Sequence, residues 1–198
     1  MSDDFKYKSL TSKQVEEELK RVIYRTKYIK ILKSTIYSLI MISAFAVLIA
    51  TLVMPVLQIN SSSMIPTLNE NEIVLSLKLK KINTGDIIAF YYGNKILVKR
   101  VIASAGEWVN IDEEGNVYVN GNILDENYTK EKMLGEYNID FPYQVPDGHY
   151  FVLGDCRSIS MDSRISEIGS ISKNDIIGKI IFKIWPLNRI GLVKWFFH

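Results

Sequence analysis

The stretch DIIAFYYGNKILVKRVIA, residues 86–103, decides the fold. It holds two runs rich in Ile, Val, Tyr and Phe, at 86–92 and 95–103, separated by Gly93-Asn94. Such residues suit a pleated, half-buried surface, and two runs joined by a two-residue loop containing glycine predict a β-hairpin. Similar runs flank it at 73–77, 108–111, 117–119, 149–153 and 176–184, with turn signals at Glu114-Gly115 and Asn120-Gly121. No helical period of useful length follows residue 60. The sequence therefore predicts a mainly β region, with antiparallel sheets coiled into a partly closed barrel. Residues 123–147 lack periodicity and are predicted to form a long loop.

Upstream the pattern changes. Residues 34–57 carry no charge and are dominated by Leu, Ile, Val, Met, Ala and Phe. About 20 such residues cross the hydrocarbon core as a helix, so this run predicts one transmembrane helix before the β region. Its Ser and Thr hydroxyls bond back to the helix backbone at little cost. Residues 1–33 hold nine basic and five acidic residues, and Val15, Leu19, Val22 and Ile23 fall at helical spacing. By the positive-inside rule the N-terminus is expected in the cytoplasm and the C-terminal region outside. The apolar run is too long for a cleavable leader. The expected organisation is a charged cytoplasmic segment at 1–33, a signal anchor at 34–57 and an extracytoplasmic β-rich domain at 58–198. The expected location is the cell membrane, crossed once.

Composition narrows the chemistry. With 24 basic and 22 acidic residues in 198, the chain has a net charge of +2 and no basic field for nucleic acid. A single cysteine, Cys156, excludes an intramolecular disulfide. No cluster of His, Cys and carboxylates suggests a metal. Asn127-Tyr128-Thr129 matches a glycosylation triplet that arises readily by chance.

Only two histidines are present, so the common partner of a nucleophilic serine is scarce. His149 follows Asp147-Gly148 at a strand entry and reads as structural. A lysine made neutral by burial can act as the base instead. Ser63 lies in Ser61-Ser62-Ser63-Met64-Ile65-Pro66-Thr67-Leu68, just after the apolar run. Pro66 fixes one backbone angle and helps hold the Ser63 N–H, a candidate oxyanion donor. On its own this segment also fits a plain linker turn. Lys99 shares a strand face with Leu97, Val101 and Ala103, an apolar setting that disfavours its charged form. Alone it reads as a strand-edge lysine with its head in water; beside Ser63 it reads as a general base. Residues 154–164, Gly-Asp-Cys-Arg-Ser-Ile-Ser-Met-Asp-Ser-Arg, follow a predicted strand and bring acids, arginines and serines able to brace a lysine. Their bland reading is a solvated loop with weak ion pairs.

The ordered set of the apolar run, residues 63–68, Gly85-Asp86-Ile87-Ile88, Val98-Lys99-Arg100-Val101 and residues 154–164 resembles the bacterial type I signal peptidases. It is most similar to the compact Gram-positive kind and covers about residues 35–185. The resemblance implies a serine endopeptidase in which Ser63 attacks the substrate carbonyl and Lys99 takes its proton. It implies that Ser160 orients Lys99 and that the Ser63 N–H and the Ser61 hydroxyl form the oxyanion hole. Arg100 with Asp155, and Asp162 with Arg164, are implied as bracing ion pairs. Shallow pockets from Ile59, Met64, Leu68 and Val98 would select small residues at positions −1 and −3 of signal peptides. The implied partners are exported preproteins and the lipid bilayer, with no nucleic acid, metal or cofactor.

Three positions depart from the family pattern. Ser62 stands where glycine or an acid is frequent, Cys156 replaces an asparagine, and Glu107 follows Gly106 where aspartate is common. None removes the Ser/Lys pair. One rival reading is a non-catalytic signal-peptidase-like assembly factor for surface pili, which would keep the fold and lose the serine or lysine. Another is a Ser/Lys self-cleaving repressor, which is cytosolic and carries a DNA-binding segment.

Overall fold

A computed structural model of the chain describes residues 12–78, 81–129 and 131–193. Residues 1–11 of the expected cytoplasmic segment and the C-terminal residues 194–198 lie outside the described residues. The chain divides into two compact units, Met1–Ile49 and Ala50–His198.

The first unit is helical. A single helix, α1 (Ser12–Val53), runs through both the charged segment and most of the apolar run, with no glycine or proline to interrupt it. It is long and apolar enough to cross a membrane, and its apolar side chains, among them Leu39, Ile40 and Phe45, are exposed. The Thr35 hydroxyl donates to the Ile31 carbonyl and Ser38 to that of Thr35, so these polar groups are satisfied within the helix. The helix stops at Val53, short of residue 57, because Pro55 disfavours helical geometry at the residue before it.

Val56 and Leu57, part of the apolar run, instead enter strand β1 (Val56–Gln58). β2 (Ile73–Leu77), β3 (Ile87–Tyr92) and β4 (Lys95–Ser104) follow, then β5 (Trp108–Ile111), β6 (Val117–Val119), β7 (Asn122–Ile123) and β8 (Tyr143–Gln144). The remainder are β9 (His149–Leu153), β10 (Ile171–Ser172), β11 (Ile176–Trp185) and β12 (Gly191–Leu192). All pairings are antiparallel. One sheet runs β1-β2-β11-β3-β4-β9-β10 with β12 added on β11, and the other runs β7-β6-β5-β8. The sheets coil without closing. The hairpin forms as predicted: Tyr92 pairs with Lys95, and Gly93 takes a φ of +55° at the first position of the two-residue loop.

β3 shows why its run is apolar on both faces. Ile87 and Ala89 pack with Ile59, Met64, Leu68 and Val74, whereas Ile88 and Phe90 pack with Val101 and Val152. A third cluster joins the second sheet to the end of β4 and to β9 through Val109, Ile111, Ala103 and Phe151. Ala103 falls in this cluster, away from Val101, because the β4–β9 register shifts between those two residues. The segment 123–147, expected as a loop, is mostly irregular but contributes Ile123 to β7 and all of β8.

β11 crosses β2 closely at Gly178, where an added Cβ would lie 2.5 Å from Ser76 Oγ and 2.7 Å from the Leu77 carbonyl oxygen. Replacing Gly178 by Ala is expected to destabilise the domain by about 1–3 kcal/mol through overpacking. Thermal unfolding of the detergent-solubilised chain reads this as a lowered midpoint; an unchanged midpoint would contradict the close crossing.

Candidate active site

The serine segment after β1 is held by its neighbours. Residues Ser62–Met64 form a 3₁₀ turn capped by Ser61, whose Oγ accepts the Ser63 N–H at 3.2 Å. Met64 and Leu68 are buried in the core, and the Leu68 N–H bonds the Met64 carbonyl at 2.9 Å. This anchoring fixes Ser63, which is 5% exposed.

Lys99 arrives from β4, and its Nζ lies 2.6 Å from Ser63 Oγ. Lys99 is itself buried, at 3% exposure. Burial lowers its pKa from the ordinary lysine value to about 8. Asp162 opposes that shift, Arg164 adds to it, and Asp155 opposes it. With the amine neutral, the Ser63 hydroxyl donates to Nζ; with it protonated, Nζ donates to Oγ.

The block after β9 closes around this pair. The Cys156 N–H donates to the Ser63 carbonyl at 3.0 Å. Arg100 grips Asp155 at two points, Nε to Oδ1 at 2.8 Å and Nη2 to Oδ2 at 2.7 Å, with both side chains fully buried. It also donates to the Gly85 carbonyl and to the Thr67 hydroxyl, and Thr67 in turn donates to Asp155. β4, the serine segment and the block are thereby tied at one point. Arg164 pairs with Asp162 through Nε–Oδ1 at 2.8 Å and Nη2–Oδ2 at 2.9 Å, and Asp162 accepts the Gly154 N–H at 3.0 Å. Asp86 holds β11 by an ion pair with Lys179 at 2.6 Å, so the Gly85-Asp86 motif serves the framework.

Ser160 is buried here, but its Oγ has no hydrogen-bond partner, so the bond to Lys99 implied by the resemblance is not formed in this structure. A groove of about 680 Å³ leads to the pair, lined by residues 56–61 on one side and 94–99 on the other, with Ser63 and Met64. Ile59, Met64 and Val98 line it as expected from the resemblance. Leu68 does not: it is fully buried, because the turn after Met64 tucks it into the core.

Sequence reasoning gave no role to Thr67, Glu126, Tyr128, Thr129 or Arg157. The motifs offer three aspartates to Arg100, Arg157 and Arg164, but Asp86 pairs with Lys179, so one buried arginine needs a further carboxylate. Glu126 supplies it, paired with Arg157 with both side chains fully buried.

A serine hydroxyl in contact with a buried amine beside a groove is an arrangement suited to nucleophilic catalysis. The chain belongs to the signal peptidase family, peptidase S26, whose model matches residues 32–185. It is 36% identical over 160 residues to a probable signal peptidase I-2 of Synechocystis, covering 75% of this chain and 71% of that protein. It is 33% identical over 177 residues to signal peptidase I U of Bacillus subtilis, covering 83% and 94%. A crystal structure of a signal peptidase I from Enterococcus faecalis aligns with a TM-score of 0.42 at 32% identity, over 52% of this chain and 98% of that one.

Gly154 offers a test of how tightly the block is fitted. An added Cβ there would collide with Ser160 Oγ and lie 2.7 Å from the Ser63 carbonyl oxygen. Gly154→Ala is expected to lower turnover about 10²-fold by displacing the serine segment. Wild-type turnover in a preprotein cleavage assay would contradict this packing.

Proposed function

We propose that the chain is a membrane-anchored signal peptidase that cleaves the signal peptides of exported preproteins with Ser63 as nucleophile and Lys99 as general base. The observation that carries this reading is the 2.6 Å contact between Lys99 Nζ and Ser63 Oγ at the end of the groove.

Neutral Lys99 takes the Ser63 proton as Oγ attacks the scissile carbonyl. The oxyanion that develops is met by the Ser63 N–H and the Ser61 hydroxyl, which bond each other in the resting enzyme and turn to the oxygen as it forms. Protonated Lys99 then gives its proton to the leaving amine, leaving an acyl ester on Ser63. Water, deprotonated by Lys99, cleaves the ester and restores the serine. The buried pairs Arg100–Asp155 and Asp162–Arg164 brace this arrangement.

The groove suits an extended peptide. Among the described residues β1 pairs only with β2, and Lys95–Lys99 pair only with β3, so each wall presents a strand edge without a second partner there. A substrate segment lying between them satisfies both edges. Ile59, Met64 and Val98 leave shallow apolar space for small side chains at −1 and −3.

The apolar part of α1, residues 34–53, is about 30 Å long, the thickness of the hydrocarbon core. Its uncovered apolar surface supports a bilayer anchor, and the basic residues before it support a cytoplasmic N-terminus. The family's activity is proposed to act here on preproteins at that membrane. The presence of both Ser63 and Lys99, in contact, favours this over a non-catalytic pilus assembly factor.

Ser63→Ala and Lys99→Arg are each expected to abolish preprotein cleavage in detergent, since arginine keeps the charge but accepts no proton. Substantial cleavage by either variant would remove the mechanism. Ser61→Ala is expected to lower turnover by about 10²–10³-fold; wild-type turnover would exclude Ser61 from the oxyanion site. A reporter fused after His198 is expected to be active outside the cytoplasm, and cytoplasmic activity would overturn the orientation.

A further inference from the structure

Glu126, Tyr128 and Thr129 lie outside every motif, in the segment expected as a loop, yet they are joined to the catalytic block. Tyr128 and Glu126 are each 3% exposed. The Arg100 guanidinium carbon sits 4.0 Å from the centre of the Tyr128 ring. The Tyr128 hydroxyl donates to Glu126 Oε1 at 2.7 Å, and the same oxygen accepts from Arg157 Nη2. Thr129 Oγ1 donates to the Asp155 carbonyl at 2.7 Å, and Arg157 Nε to that of Gly154 at 3.1 Å. Between these points sits Cys156, whose N–H holds the Ser63 carbonyl.

We infer that Glu126, Tyr128 and Thr129 form a strap that positions the Ser63–Lys99 pair, acting through Arg100, Asp155 and Arg157. The inference rests on the Ser/Lys reading above. Each strap residue holds a group one step from the pair: Arg100 adjoins Lys99 in β4, and residues 154–157 carry the bond to Ser63. The three are positioning residues and touch no reacting atom.

The strap also sets the charge around the base. Lys99 is faced by Asp155, Asp162 and Arg164 from the block, with Arg100 beside it on its own strand. Arg157 is faced by Glu126, Tyr128 and Asp162. Burial alone would lower its pKa, but Glu126 and Tyr128 raise it above the ordinary arginine value. Without the Glu126 charge, Arg157 draws on Asp162, the group that most favours protonated Lys99. Lys99 then loses its proton more readily, and the acid limb of the activity profile moves to lower pH.

The test uses the full chain in detergent with a preprotein substrate. Wild type, Ser63→Ala, Glu126→Gln, Tyr128→Phe and Thr129→Val are compared for kcat and KM across pH, each normalised to folded protein. Glu126→Gln is expected to lower kcat about tenfold with KM unchanged and to move the acid limb down by about 0.5 pH unit. Tyr128→Phe and Thr129→Val, which each remove one hydroxyl, are expected to lower kcat several-fold without unfolding the domain. If Glu126→Gln fails to fold, these two variants decide the matter through kcat. Cleavage by Ser63→Ala would overturn the Ser/Lys reading and the strap with it. Ser63-dependent cleavage with wild-type kcat in the strap variants would overturn the strap alone, even if their melting points fell.

Discussion

Withdrawing Lys99 from water is the constraint on which the site depends. An ammonium in an apolar strand environment loses hydration, and the free energy separating its charged from its neutral form shifts by about 3 kcal/mol for a pKa lowered to about 8. That shift suits the amine to the proposed role of base, and it requires cover on every side. β4 supplies the position, the serine segment supplies Ser63, and the block after β9 supplies two carboxylates and an arginine whose effects partly cancel. A single carboxylate against Lys99 would hold the proton on it. Splitting each carboxylate between an arginine and a further donor, Thr67 for Asp155 and backbone N–H groups for Asp162, leaves Lys99 weakly attracted and still deprotonable.

The rest of the domain reads as support for that balance. Each aspartate of the block is held by its own arginine in a two-point grip, and the freed lone pairs go to backbone N–H groups or to Thr67. Pairs of this kind contribute little net stability against an apolar core, because desolvation offsets much of the attraction. What they provide is a fixed geometry: one strand, one turn and one loop meet at Arg100 and Asp155. The apolar clusters on both faces of β3 hold the sheet rigid beneath.

The strands that proved readable were those with dense β-branched and aromatic residues, as at Ile73–Leu77 and in the β3–β4 hairpin. Two-residue strands such as β7, β8, β10 and β12 carry no pattern of their own and form because a neighbour offers an edge. The helix end was displaced by Pro55, a local rule that an apolar run conceals. At the site, the order of the motifs pointed to Ser63, Lys99 and both aspartate–arginine pairs. Leu68 was misplaced because an apolar residue in a motif serves a groove or a core equally well in sequence. Ser160 was expected to bond Lys99, and its hydroxyl stands unpaired. Glu126 and Tyr128 escaped notice because their partners are distant in sequence and their own segment lacks periodicity.

Catalysis by this pair requires Lys99 to be a lowered-pKa base in contact with Ser63. The most direct measurement is a site-resolved NMR titration of the Lys99 side chain in the detergent-solubilised full chain, assigned with a Lys99→Arg variant. This one lysine is expected to titrate near pH 8. A midpoint near the ordinary value of about 10.4 would contradict it.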